Sequence, residues 1–161
     1  MPIPDTTKDV LRLFSYGLYV AAAIGADGPR AATVSWVTQV SFDPRLLAVA
    51  MRKDSSICEA VRASRRFTLH VVGADQTDFA RAFFRFSQAG PEDIGGYHYT
   101  VGPTGAPVFD HAIAWLACDV VEEASASGDH ALFIAQIVGS GQRVPGATAL
   151  TLRDTPWRYG G

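Results

Sequence analysis

The sequence predicts a mainly β domain: an antiparallel barrel of about six strands with two or three short helices, in a single domain over residues 1-161. Three observations lead there. Short apolar or alternating runs recur along the chain, each bounded by Gly, Pro or Asp turn residues. The helical stretches do not alternate regularly with strands, as a doubly wound parallel sheet requires. A chain of 161 residues, 48% hydrophobic and 19% charged, buries a core without staples and is too apolar for disorder.

In order, Asp5 to Phe14 reads as a short helix, with Asp5, Thr6 or Thr7 as cap and Val10, Leu11 and Phe14 on one face. Tyr16 to Ile24 reads as a strand, Asp27-Gly28 as a turn, and Ala31 to Phe42 as the returning strand of a hairpin. Asp43-Pro44 closes that strand, and Leu46 to Met51 follows as a short buried one. Ser56 to Ser64 has helical spacing, with Ile57, Ala60 and Val61 together, and Phe67 to Val72 is again a strand. Thr77 to Phe86 reads as an aromatic-rich helix in which Phe79, Phe83 and Phe86 share a core-facing side. Residues 87 to 107, rich in Gly and Pro, read as a long loop with a short strand at Tyr97 to Val101. Ala112 to Glu123 and Ala131 to Ser140 are strands joined by the loop 124-129, and Ala149 to Arg153 is a last short strand.

Composition narrows the function. A net charge of -2 does not suit broad binding to nucleic acid. Leu18 to Ile24, the longest apolar run, is far too short to span a bilayer. Met1 to Asp5 has neither the basic start nor the apolar run of a secretory leader, which predicts a cytoplasmic protein. Cys58 and Cys118 each sit in an apolar run and read as buried free thiols. No Cys/His group has zinc-ligand spacing, so no metal site is expected. There is no Gly-x-Gly-x-x-Gly, P-loop or Gly-x-Ser-x-Gly elbow.

Four constellations remain as chemistry; one, Phe79, Phe83, Phe84, Arg85 and Phe86, reads as core packing or as an aromatic over a flavin or at a dimer contact, and the other three are polar. On the strand Ala31 to Phe42, alternation puts Val34, Trp36, Val40 and Phe42 on one side, a core face interrupted by Thr38, and Thr33, Ser35, Val37, Gln39 and Ser41 on the other. The second side is polar yet uncharged, which suits a ligand rich in donors and acceptors, such as a flavin ring; an ordinary Ser/Thr outer face is the other reading. Next, Arg52, Lys53, Ser55 and Ser56 precede a helix whose Ser56-x-x-Glu59 fits a capping box, and a helix start with cations and hydroxyls suits a phosphate monoester. Finally, Gly128-Asp129-His130 marks a turn from which His130 reaches a bound ring, or simply solvent. His70, His98 and His111 read as structural.

Taken together, the segments resemble the flavin reductase-like family, the FMN-binding split β-barrels. The resemblance runs through Leu13 to Val20, Thr33-Val34-Ser35-Trp36, Val40 to Pro44, Lys53-Asp54-Ser55, Thr104 to Pro107, Gly128 to Ile134 and Pro156 to Tyr159. It implies a homodimer with the flavin near the subunit interface, the ring along Thr33, Ser35, Trp36 and Ser41, the phosphate near Lys53 and Ser55, and His130 near the ring or the nicotinamide. It also implies FMN, with FAD as the alternative, and NADH or NADPH as electron donor. The activity would be hydride transfer from nicotinamide to flavin, with reduced flavin supplied to a partner monooxygenase. The rival readings are an FMN-binding electron carrier reduced by a redox protein, and a non-enzymatic barrel that binds flavin or another ligand. Arg45 stands where members have a second proline, Ile57 where they often carry a phosphate-binding Thr, and Cys58 where they often carry His.

Overall fold

A strand that is apolar at every position is stable only with both faces covered. Leu18 to Ala23 meets that condition in the computed structural model, which describes residues 1–2, 4–124 and 127–161. After α1 (Asp5–Leu11), the strand β1 (Tyr19–Gly25) turns into β2 (Gly28–Val34). Gly28 has φ +107°, and this left-handed backbone lets Ala26-Asp27 close the hairpin with Gly25 opposite Gly28. A second hairpin, β3 (Val37–Phe42) and β4 (Arg45–Arg52), leads into α2 (Ser56–Ser64), β5 (Arg66–Val71) and α3 (Thr77–Arg81). The strands β6 (Asp93–Ile94), β7 (Tyr97–Val101) and β8 (Pro107–Phe109) form a small sheet. The long strands β9 (Ala114–Ala124) and β10 (His130–Gln142) and a 3-10 helix at Leu152–Asp154 complete the chain. Ser125 and Ala126 of the predicted loop 124-129 lie outside the described residues, as does Ile3.

The main sheet runs β2-β1-β5-β9-β10-β4-β3 and every pairing in it is antiparallel. Its two edges, β2 and β3, are neighbours in sequence, separated only by Ser35 and Trp36. The sheet therefore curls until its edges meet at one corner without a ladder between them: a split barrel, as expected, with more strands than the sequence suggested. The inside holds Val34, Val49, Met51, Phe67, Leu69 and Phe133, and α2 covers it with Ile57, Cys58, Ala60 and Val61. A second core outside the barrel packs Val20, Phe79, Phe83, Ile94, Phe109 and Leu150. β1 sends Ala21 and Ala23 to the first core and Val20 and Ala22 to the second, which explains its unbroken apolar run.

Several elements depart from the sequence reading. The single strand Ala31 to Phe42 is two strands at opposite edges of the sheet, because the chain crosses the barrel corner at Ser35-Trp36. A bulge between Gln39 and Ser41 then breaks the alternation. Val40 and Phe42, expected in the core, are 48% and 89% exposed on that edge. The helix Thr77 to Phe86 ends at Arg81, so Phe79 and Phe83 are buried while Phe86 lies outside beneath Arg30. The long loop contains β6 and β7 and runs up to β8. The last predicted strand is reduced to bridges at Ala149 and Thr151 before the 3-10 helix, where the tail threads between Gly17 and Gly73. Cys58 and Cys118 are buried free thiols, as expected. Among the described residues no helix is long and apolar enough to cross a membrane.

Three histidines are structural. His98 pairs with Asp110, and the His111 ring meets the Phe79 ring edge-on. His70 joins the two cores: Nδ1 lies 2.7 Å from the Val20 carbonyl, and Nε2 accepts from the Phe109 N–H at 2.9 Å. The acceptor role at Nε2 requires a neutral ring, and burial pushes the imidazole pKa down to about 4. The unfolded chain binds a proton at this ring near its ordinary pKa, while the folded protein does so only near 4. Stability is thus complete above about pH 6.5 and is lost as pH falls toward 4, by about 3 kcal/mol in total. Urea denaturation between pH 7 and 4, with NMR of the His70 ring, checks this: the ring stays neutral at pH 5.

Candidate functional site

The corner at Ser35-Trp36 brings distant parts of the chain together. Thr33 at the end of β2 is tied down twice, its N–H to the Phe83 carbonyl at 3.0 Å and its hydroxyl to the Ala80 carbonyl at 2.6 Å. The Trp36 carbonyl accepts from the Ala50 N–H at 3.0 Å, which pins the crossing to β4. β4 continues to Arg52, which lies opposite His130 in the β4–β10 ladder. The Lys53 N–H donates to the Asp129 carbonyl at 3.0 Å. The three polar constellations read from sequence therefore adjoin one another: the Trp36 corner, the start of α2 and the His130 turn.

His130 is the centre of this junction. Its ring packs on Trp36 with centroids 4.5 Å apart, and Trp36 meets Tyr159 at 5.0 Å. Nδ1 lies 2.7 Å from the Asp129 carboxylate, and Nε2 lies 2.6 Å from the Tyr159 hydroxyl. A carboxylate only accepts, so Nδ1 carries a proton; Nε2 then accepts from Tyr159 in the neutral ring and donates in the cation. The hydrogen bond from His130 holds the Asp129 carboxyl below the ordinary carboxylate range. Partial burial raises the Tyr159 hydroxyl pKa, so it stays protonated at neutral pH.

Beside the junction lies a cavity of about 320 Å³. Thr33, Val34 and Ser35 form one wall with Leu18 and Ala50; Phe84, Leu152, Trp157, Arg158 and Tyr159 form the other. Ser35 is only 5% exposed, and the Trp36 indole N–H is buried without a partner. A buried donor without a partner is costly and is commonly met by a ligand or water. A flat heterocycle with carbonyl and imine acceptors fits this lining: apolar and aromatic faces, with polar groups at the edge. Gln39 and Ser41 lie elsewhere, with Val40 and Phe42 along the exposed edge of β3, and Gln39 Nε2 donates to the Ser41 carbonyl at 3.2 Å.

At the start of α2 the cap is Ser55, not Ser56. Ser55 Oγ accepts from the Cys58 N–H at 3.2 Å and donates to the Arg52 carbonyl at 2.7 Å. Arg52 forms a two-point ion pair with Asp54 at 3.0 and 2.9 Å, which lowers the Asp54 pKa. Ser55 and Arg52 are thus already engaged with their neighbours, and Lys53 and Ser56 stand beside them at this helix start. Phe84, Trp157, Arg158 and Tyr159 were not among the predicted site residues. Pro156 to Tyr159 carried a signal only as one of the segments of family resemblance; Phe84 enters the cavity because α3 stops early.

Comparison with known proteins identifies the family. The family profile described as "Flavin reductase like domain" matches residues 11–154, and the chain belongs to that family. It is 30% identical over 83% of its length to the "Probable flavin reductase" of Rhizobium meliloti (strain 1021) and spans 42% of that relative's length. It is 29% identical to the reductase component of the 4-nitrophenol 4-monooxygenase/4-nitrocatechol 2-monooxygenase of Rhodococcus opacus, over 81% of this chain and 68% of that one. Among solved structures, the NADH:FAD oxidoreductase of Streptomyces globisporus superposes with a TM-score of 0.73 at 26% identity, over 86% of this chain and 81% of that one.

Two local predictions follow from the geometry. Ser55→Ala should cost about 1 kcal/mol of stability in urea denaturation, and Ser56→Ala close to nothing. Tyr159→Phe and His130→Ala should be non-additive, with a coupling of about 1 kcal/mol from the shared hydrogen bond; additive losses would mean that the bond contributes nothing.

Proposed function

We propose that this chain is an NAD(P)H:flavin oxidoreductase that takes FMN in the Thr33–Ser35 cavity and supplies reduced flavin to a partner monooxygenase. The observation that carries the reading is a cavity with a neutral polar wall at Thr33 and Ser35 and an aromatic rim that includes Tyr159, whose hydroxyl bonds the adjoining His130; the unpartnered, buried Trp36 indole N–H lies in that same junction. When bound, flavin supplies the redox chemistry by accepting a hydride from reduced nicotinamide. The chain then has to bind, orient and exclude water, and needs no buried acid–base pair.

In this reading Ser35 and the Trp36 N–H contact the ring edge, while Thr33, whose proton is committed to Ala80, offers its remaining lone pairs. Trp36, Phe84 and Trp157 confine the ring, and His130, held by Asp129 and Tyr159, presents its face beside it. Lys53 and Ser56 hold the phosphate at the start of α2, with Arg52 and Ser55 shaping that turn. The reading includes a homodimer: the unpaired edge of β3, with exposed Val40 and Phe42 beside Gln39 and Ser41, suits a second copy. It also includes a cytoplasmic location, where reduced nicotinamide is available.

Flavin-dependent oxidation of NADH or NADPH by the purified protein tests the activity. Protein that retains FMN yet oxidises neither nucleotide overturns the reductase reading and leaves an electron carrier. Lys53→Ala should weaken FMN roughly tenfold while riboflavin is unchanged, because removing one charge-assisted hydrogen bond to phosphate costs about 1.5 kcal/mol or more. Equal losses for both flavins would take the phosphate away from Lys53.

A further inference from the structure

The cavity continues sideways into a second recess of about 200 Å³. Leu152, Trp157, Arg158 and Tyr159 line both, so the two spaces share a wall. The recess adds Arg12, Phe14, Tyr16 and Arg153. Its three arginines come from separate elements: the end of α1, the 3-10 helix and the tail.

These arginines differ from most others in the chain. Arg52, Arg62, Arg66, Arg81 and Arg143 each face a carboxylate at 2.6 to 3.5 Å. Arg12, Arg153 and Arg158 do not: their hydrogen bonds go to neutral oxygens. Arg12 Nε donates to the Gly160 carbonyl at 3.4 Å, and Arg158 Nη1 to the Trp157 carbonyl at 3.1 Å. Arg153 Nη2 donates to the Leu13 carbonyl at 3.3 Å and the Ser15 hydroxyl at 3.4 Å. Among the described residues no carboxylate neutralises them. Three uncompensated guanidiniums around one concavity repel one another, and a multiply charged anion relieves that repulsion. Guanidinium forks match phosphate oxygens in particular. Beside them, Phe14 is 57% exposed, and its ring lies 6.4 Å from Tyr16, which lies 6.4 Å from Trp36. An exposed aromatic row next to a polycation suits a flat base joined to phosphates.

We infer that this arginine recess binds the ADP half of a dinucleotide whose redox half lies in the adjoining cavity, an inference that rests on the flavin reductase reading. The diphosphate sits among Arg12, Arg153 and Arg158, and adenine lies at the mouth against Phe14. The phosphate of FMN goes to the start of α2, so the recess separates dinucleotides from mononucleotides. NAD(P)H and FAD both carry this ADP half.

Calorimetry of flavin-free protein with ADP tests the recess directly, and two further comparisons identify the source. ADP should bind the wild type, and Arg158→Ala and Arg12→Ala should each weaken it about tenfold; Arg12 lies outside the ring cavity, so Arg12→Ala should do this without changing riboflavin affinity. Arg153→Lys, which keeps the charge but loses the fork, should weaken it less than Arg153→Ala. If FAD is the source, the variants lose FAD about tenfold more than FMN. If the nicotinamide nucleotide is, KM for NADH rises about tenfold while KM for reduced nicotinamide mononucleotide holds. ADP that fails to bind, or binds every variant as it binds the wild type, overturns the proposal, and so does an equal loss of FMN and FAD. Arginine-dependent ADP binding in a protein that oxidises no reduced nicotinamide keeps the recess and removes the reductase reading instead.

Discussion

The two edges of the main sheet are consecutive in the chain, and only Ser35 and Trp36 join them. A crossing this short forces the sheet to curl until β2 and β3 meet at a corner, and it puts a large indole there. Trp36 has no place in either core. It packs instead on His130 and Tyr159, while its backbone is held by Ala50. The cavity, the histidine turn and the start of α2 are all positioned relative to this corner. Lengthening it would separate Thr33 and Ser35 from the groups they face.

Behind the corner, rigidity comes from burial on both sides of β1. Two hydrophobic cores share that strand, and His70 fastens it to the small sheet through Val20 and Phe109. A neutral imidazole does this well because it offers one donor and one acceptor in fixed directions. Thr33 is held by carbonyls at and just beyond α3, so the wall of the cavity is fixed by the second core rather than by the barrel alone.

Charge is distributed unevenly around the site. Arg52 is bound to Asp54 and Asp129 to His130, so the carboxylates nearest the junction are engaged by neighbours. Across the cavity, Arg12, Arg153 and Arg158 line one recess, and among the described residues the oxygens that accept from them are neutral. This asymmetry gives the mouth of the site a positive field, which favours the approach of anionic nucleotides. The tail residues Trp157 to Tyr159 line both spaces and so couple the ring site to its basic flank.

What the sequence determined by itself is local. Alternation and turn residues located β1, β4, β5, β7, β9 and β10 to within a few residues, and α2 at its observed bounds, because periodicity and turn chemistry act over short spans. Trp36 came only with the family resemblance, whereas the same signals placed Thr33, Ser35, Lys53 and His130 as residues of interest. They failed where long-range packing overrides local preference. The run Ala31 to Phe42 alternates like one strand, yet barrel closure breaks it at Ser35-Trp36 and turns Val40 and Phe42 outward. Phe86 has helical spacing with Phe83, yet α3 ends at Arg81. Ser56-x-x-Glu59 reads as a capping box, yet Ser55 makes the cap. Only the tertiary structure decided that Trp36 meets His130, and that Tyr159, 29 residues further along, bonds to the same ring. Such contacts depend on where a folded sheet brings its edges and tail, and nothing in the local sequence around either residue encodes that distance.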